Sequence, residues 1–167
     1  MESPEEIDRA EKCALWMSGK NKKFEPPKAS AHFFIDSDSI VQGVRETCIA
    51  WHAPGANHNG IGIEHAGRAR QTRDEWLDEF GRPMLDLSAQ LVGEKLCVTW
   101  DIQPVFVDAK GLLEKPQQRG ITTHAAVTEA FKRSTHTDPG KSFPMDWYLE
   151  RVRKYHTRER RYVPGIV

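Results

Sequence analysis

The chain has 167 residues, and its 24 Lys and Arg balance 24 Asp and Glu, so it carries no net charge with histidine neutral. That balance excludes bulk electrostatic binding to nucleic acid or to an anionic membrane surface, both of which draw on an excess of basic groups. The length is that of one domain able to bury a core, and 38% hydrophobic residues with 12 glycines fit a globular chain rather than a disordered one.

The opening MESPEEIDRAEK is acidic where a signal peptide is basic and then apolar. No run reaches the roughly 18 apolar residues that span a bilayer. These features predict a protein that starts in the cytosol and does not insert into a membrane. Cys13, Cys48 and Cys97 are scattered without a CxxC pair, which predicts buried thiols in a reducing compartment.

The first element is a helix over about residues 4–18. Ser3 is its cap, Pro4 its first helical residue and Glu6 the partner in an S-x-x-E box. Ile7, Ala10, Ala14 and Met17 form one apolar face, and Gly19 is the stop. After a linker in which Pro26 and Pro27 bar helix, Phe33 and Ile35 alternate with His32 and Phe34. DSDS then supplies a turn and Ile40 to Val44 resumes a β-rich run, so the segment reads as a hairpin. Gly60 to Glu64 reads as a further strand whose glycines imply close approach by another group.

The middle is helical. Leu87, Leu91, Val92, Leu96 and Trp100 lie on one stripe, preceded by TRDEWLDEF as a short helix or turn. VTEAFKRS reads as loop or short helix. A last helix starts near Pro144 and runs to about Tyr155, leaving RKYHTRERR as a solvated end. The order predicts an α/β or α+β fold, a mixed sheet flanked by helices. The division expected is one domain over 1–158 and a tail or linker start over 159–167.

Two of the segments that hold the seven histidines carry chemistry. His124 follows a β-prone stretch, and Asp138 stands fourteen positions later before Pro139 and Gly140. A loop of that length can return a carboxylate to a metal held by His124, and zinc accepts both imidazole nitrogen and carboxylate oxygen. Asp138 can equally be no more than the first residue of a D-P-G turn. The other segment runs from Trp51 and His52 through His58 and Asn59 to Glu64. A carboxylate ending a strand beside a His- and Asn-rich loop is placed to act as a general base, or to make a surface salt bridge.

At these residues the chain resembles the type 2 N-acetylmuramoyl-L-alanine amidases. SAHFFIDSDSIVQGVRETCIAWHAPGANHNGIGIE has the family's serine-x-histidine strand, hairpin, W-H-A element, asparagine and I-G-I-E strand in order. ITTHAAVTEAFKRSTHTDPGKSFPMDWY resembles its second metal segment. The resemblance spans Ser30 to Tyr148, and bacteriophage endolysins are the members most like it.

The resemblance implies zinc as cofactor, with His124 and Asp138 as two of three protein ligands. It implies Glu64 as the residue that handles the proton of the attacking water, and His136 as the oxyanion donor where many members have lysine. His52 and Asn59 are expected to line a groove for glycan and stem peptide, with structural roles equally open. The implied substrate is peptidoglycan, cut between N-acetylmuramic acid and L-alanine by a monomer. An endolysin accumulates in the host cytoplasm and reaches the wall after holin-type release.

One departure matters. The family's first ligand is a histidine at the end of a strand preceding the first helix, and this sequence has only Met1 to Pro4 before that helix. Two readings follow: the strand lies upstream of Met1, or this is a short form that keeps only wall-fragment binding. Either way the chain as written is expected to bind zinc poorly and to hydrolyse weakly. His136 and His52 are the disfavoured substitutes for the third ligand, since neither comes from that strand.

Overall fold

A computed structural model describes residues 8–20 and 25–161, with side chains described as far as residue 157. Ser3, Pro4, Glu6 and Ile7, the start signals of the first helix, lie outside the described residues. What is described of that helix is α1 (Arg9–Met17). Gly19 ends it with φ 70°, a left-handed conformation that costs glycine little.

The expected hairpin is present. β1 (Phe33–Ile35) pairs antiparallel with β2 (Ile40–Gln42), Phe34 opposite Val41. Asp36 makes the turn: its carboxylate accepts the backbone N–H groups of Ser39 and Ala10, both at 2.9 Å. Burial works against that charge, but the hydrogen bonds hold the Asp36 carboxyl below its ordinary value. One buried side chain thus closes the turn and ties α1 to the sheet.

The strand expected over Gly60 to Glu64 is shifted: β3 is Ile63–His65 and runs parallel to β1, giving the order β2-β1-β3. The displacement has a physical reason. The His32 ring takes the Gly62 N–H on Nδ1 at 2.9 Å, and Gly62 packs so closely on the His52 ring that a Cβ would overlap it. Gly62 still serves the sheet through its carbonyl, which accepts from His32 and Phe33. Since Gly62 and Ala66 bond to the β1 side, Ile63 and His65 turn their backbone groups to the opposite edge.

Three clusters build the core. Phe33 and Ile35 face Trp76, Met84, Leu85, Val92, Leu96, Tyr148 and Val152 from the helices. Phe34, on the other face, meets Ala10 and Ala31 under α1. Ala53 and Ala56 join Val107, Leu112, Ala126 and Val127 in a third cluster, which fixes the 51–58 loop against later helices.

After the capped turn α2 (Arg73–Trp76), helix begins at α3 (Gly81–Gln90), earlier than the apolar stripe indicated. It passes through a π-helical turn at Leu91–Leu96 into α4 (Cys97–Thr99). Gly93 lies in the π turn, pressed against α7 (Met145–Arg161), where an added Cβ would meet Tyr155 Cβ at 2.8 Å. α7 corrects the sequence reading: it continues past Tyr155, which is buried, and so RKYHTRERR is helix rather than a loose end. Val152 and Tyr155 are buried on this helix, and Arg151 and Tyr155 tie it to α3 by donating to the Asp86 carboxylate.

VTEAFKRS is helical through Phe131 and then leaves the helix. Ile121 bridges to Phe106 in parallel, Thr123 caps, and α6 (His124–Phe131) follows; α5 (Ala109–Leu113) lies before it. The thiols are only partly as expected, because Cys97 is buried, Cys13 half-buried and Cys48 exposed. No helix of the described residues is long and apolar enough to cross a membrane.

Candidate metal and hydrolytic site

The site begins with a helix cap. Thr123 accepts the Ala126 N–H at 3.1 Å and so places His124 at the first position of α6. The Ala125 N–H donates to the Asp138 carbonyl at 2.9 Å, which draws the 132–140 loop back to the helix start. As a result His124 Nδ1 and Asp138 Oδ2 stand 3.3 Å apart. The D-P-G turn is also present, with Gly140 N–H on the Thr137 carbonyl and φ 92° at Gly140. Only glycine fits at position 140, since a Cβ there would run into the Ala69 backbone. Turn and carboxylate placement are therefore one structure, not alternatives.

His136 arrives with the same loop. Its Nδ1 lies 3.3 Å from Asp138 Oδ1, and ligand atoms of His124, His136 and Asp138 all fall within 4.8 Å of one another. The two imidazoles stack at 4.3 Å with planes 15° apart. An imidazole lone pair lies in the ring plane, so near-parallel rings send their lone pairs side by side rather than to one point. His124 and Asp138 form a converging pair as they stand, and His136 joins them as a ligand only after its ring turns. Ser134 Oγ is 3.5 Å from His124 Nε2, on the side away from Asp138, where an outer partner sets the ring's tautomer. Nitrogen and carboxylate donors of this kind fit zinc.

The acid–base balance is uneven. Pairing with the His124 ring holds Asp138 below its ordinary carboxyl value, against the effect of burial. Glu64 moves the other way, pushed up by burial and then by the charge of Asp138, with His124 opposing. Glu64 stands opposite Phe34 and so lies on the α1 face of the sheet, where its charge also reaches Cys13. It lines the same cavity as His124 and Asp138.

That cavity measures about 820 Å³ and has two characters. Its polar lining includes His124, Asp138, Glu64, Asn59 and Gln117. Its apolar lining includes Ile63, Val92, Leu96, Trp100 and Ile121, which belong to or pack on the main core cluster. Trp76, which also lines the cavity, has a buried indole N–H with no partner among the described residues.

His52 and Asn59 both line the cavity, with different engagements. The His52 ring is 3.2 Å from the Gly60 carbonyl through Nε2, its backbone N–H goes to Asn57 Oδ1, and burial pushes its pKa down to about 4. Its chief work is therefore to shape the 51–62 loop. Asn59 donates to Gln117 Oε1 at 2.6 Å and joins two loops at the cavity mouth. Sequence reasoning missed Ser134, Gln117 and the buried His32, whose Nε2 is 3.0 Å from the Cys48 carbonyl. The one available signal was Thr123 before an alanine-rich stretch, a cap that marks a helix starting at His124.

A family model described as N-acetylmuramoyl-L-alanine amidase matches residues 5–141. The chain is 31% identical over 148 residues to N-acetylmuramoyl-L-alanine amidase A of Achromobacter lyticus, covering 81% of this chain and 76% of that protein. Among solved structures it is similar to the Staphylococcus aureus hydrolase AmiA in complex with its ligand, with a TM-score of 0.64 over 98% of this chain and 74% of that one. At 15% identity that likeness concerns the fold.

Proposed function

The chain belongs to the N-acetylmuramoyl-L-alanine amidase family, and from that premise we propose that its site performs zinc-dependent hydrolysis of the amide between N-acetylmuramic acid and L-alanine in peptidoglycan. The observation that carries this reading is the His124–Asp138 pair at 3.3 Å, opening on a cavity that Glu64 also lines.

His124 and Asp138 hold the metal, with Ser134 fixing the outer nitrogen of His124. A zinc ion there supplies a Lewis acid for the scissile carbonyl and makes water more acidic. Glu64 accepts the proton of the attacking water and returns it to the departing nitrogen. Its raised pKa suits a group that must do both near neutral pH. His136 donates N–H to the carbonyl oxygen as negative charge develops there. Asn59 and Gln117 bind substrate at the mouth. The catalytic unit is one domain over 1–158, and the expected start of a tail or linker at 159 falls within α7, which runs to Arg161. The endolysin setting, with holin-type release from the host cytoplasm, rests on the sequence resemblance.

Activity of this chain is weak on the same reading, because two converging ligands are fewer than the three a catalytic zinc takes. The apolar lining of the cavity supports this. Ile63, Val92, Leu96 and Ile121 line the cavity, an apolar wall that a strand added at the free edge of β3 would cover. The noncatalytic alternative, a muropeptide-binding module, is the outcome if wall fragments bind and nothing is released.

The test is incubation of the zinc-loaded chain with purified sacculi, followed by mass spectrometry. Stem peptides with a free N-terminal alanine and no new reducing sugar ends are expected, at a rate that rises when a strand ending in histidine is added at the N-terminus. Tight stoichiometric zinc and full lysis by the 167-residue chain would overturn the weak-site reading. New reducing ends would overturn the amidase reading.

A further inference from the structure

We propose that Trp51, with His58 behind it, is a stacking platform for the glycan strand at the mouth of the cavity. The inference rests on the amidase reading for the identity of the sugar polymer, and on its own geometry for the site.

Trp51 is 59% exposed, the largest fraction among the exposed large apolar side chains of the described residues. It is not exposed through looseness. Its backbone N–H donates to Ser30 Oγ at 2.9 Å and its carbonyl accepts the Ser30 N–H at 2.9 Å. On either side Ala50 is fully buried and His52 is held by Asn57 and Gly60, so the chain turns Trp51 outward in a fixed frame. Its ring meets His58 edge to face at 6.4 Å. That contact braces the indole and leaves most of its surface open.

The position gives the platform its ligand. His58 and Ile49 line the cavity that contains His124 and Asp138, and Ile49 is itself 48% exposed. The neighbouring polar groups are the amides of Asn59 and Gln117, already joined at 2.6 Å. An apolar ring face beside neutral amides matches a pyranose, which offers a face of C–H groups and a rim of hydroxyl and N-acetyl groups. A chain without net charge does not favour a nucleic acid strand. The occupant is therefore a β-1,4-linked N-acetylamino sugar chain, gripped by stacking at one ring while the peptide-bearing position reaches His124.

The probe is a hexamer of β-1,4-linked N-acetylglucosamine, which has no peptide and no scissile amide. Titrated into the 15N-labelled full chain without metal, it is expected to shift the Trp51 indole N–H resonance, assigned from Trp51→Phe. Trp51→Ala should weaken binding by about tenfold or more, and Trp51→Phe by no more than about threefold, as loss and retention of a stacking ring require. Leu15→Ala, on α1, removes another exposed apolar group, 46% exposed, and should bind as the parent does. No binding by the parent chain, or equal binding by Trp51→Ala, overturns the proposal. Because neither metal nor hydrolysis enters, failure of the amidase reading shows separately, as sacculi that release no peptide while the hexamer still binds.

Discussion

His124 Nδ1 and Asp138 Oδ2 stand 3.3 Å apart although fourteen positions separate them in the chain. Two hydrogen bonds enforce this: the Thr123 hydroxyl accepting the Ala126 N–H and the Ala125 N–H donating to the Asp138 carbonyl. Side-chain substitutions that leave both untouched should therefore remove ligands without unfolding the loop. His124→Ala and Asp138→Ala are each expected to lower zinc affinity by more than about 100-fold, beyond the 10- to 100-fold typical of an outer partner. Ser134→Ala should fall within that smaller range. Calorimetric zinc titration with circular dichroism as the fold check decides it, and equal affinity in His124→Ala would remove the pair from the metal site.

Glu64 differs in kind, since nothing ties it to metal holding. Glu64→Gln keeps the shape and removes the proton acceptor, so peptide release should fall by about 10²- to 10⁴-fold with zinc affinity little changed. The pH dependence has a definite sign. Burial and the charge of Asp138 raise this carboxyl, so its working, ionised form appears only as pH climbs past the ordinary carboxyl range. The acid limb of the pH–rate profile should lie above 4.5, the ordinary value for Glu, and should be absent from the residual rate of Glu64→Gln. A limb at or below 4.5 would remove Glu64 from this role.

Much of this architecture could be read from residue order. The hairpin declared itself because Phe33 and Ile35 alternate with their neighbours and Asp36 begins a turn that its own carboxylate completes. The loop carrying Asp138 was legible for a similar local reason, the D-P-G turn. What escaped depended on contacts between side chain and distant backbone. His52 looks like a substitute ligand in sequence and His32 like an ordinary strand residue, yet both rings are committed to carbonyls and to Gly62, and no periodicity records that. The start of β3 shifts for the same cause. α7 continues beyond Tyr155 because that residue meets Gly93 and Asp86, which lie more than sixty positions earlier. His136 was visible as a residue, but its stacking on His124 is set by the path of the whole loop.

Gly62 offers a test of how the sheet and the site are joined. It lies between the His32 ring, which accepts its N–H, and the His52 ring, which a Cβ would overlap. Gly62→Ala must displace His52 or the start of β3, and overpacking of this kind costs about 1–3 kcal/mol. Urea denaturation should show that loss. Peptide release should fall further than stability alone explains, because β3 carries Glu64. Gly43→Ala also crowds a ring, that of Phe34, but at the far strand, and it should destabilise with a smaller effect on turnover. Equal effects of the two on turnover would disconnect the Gly62 contact from the site.

His65 sets the acid limit of the fold. Its Nε2 meets Ser88 Oγ at 2.7 Å, Ser88 Oγ meets the Tyr148 hydroxyl at 2.8 Å, and Phe143 stacks on the ring at 6.0 Å. This chain joins β3 to α3 and α7 through neutral groups, and burial pushes the imidazole pKa from 6.5 down to about 4. A depressed imidazole favours the uncharged form in the fold, so the unfolded chain takes up the proton first as pH falls. The contribution is complete above pH 6.5, declines as pH drops and is lost near pH 4. The size is on the order of 3 kcal/mol at most, by the usual conversion of a pKa difference. His52 is depressed by burial in the same direction and adds to the same window. Denaturation midpoints measured between pH 7.5 and 4.5 should fall steadily in the parent chain. His65→Gln, which keeps a hydrogen-bonding side chain without a titrating ring, should start lower and fall less across that range. A parent chain as stable at pH 4.5 as at 7.5 would show that the His65 ring is hydrated and titrates as an exposed imidazole does.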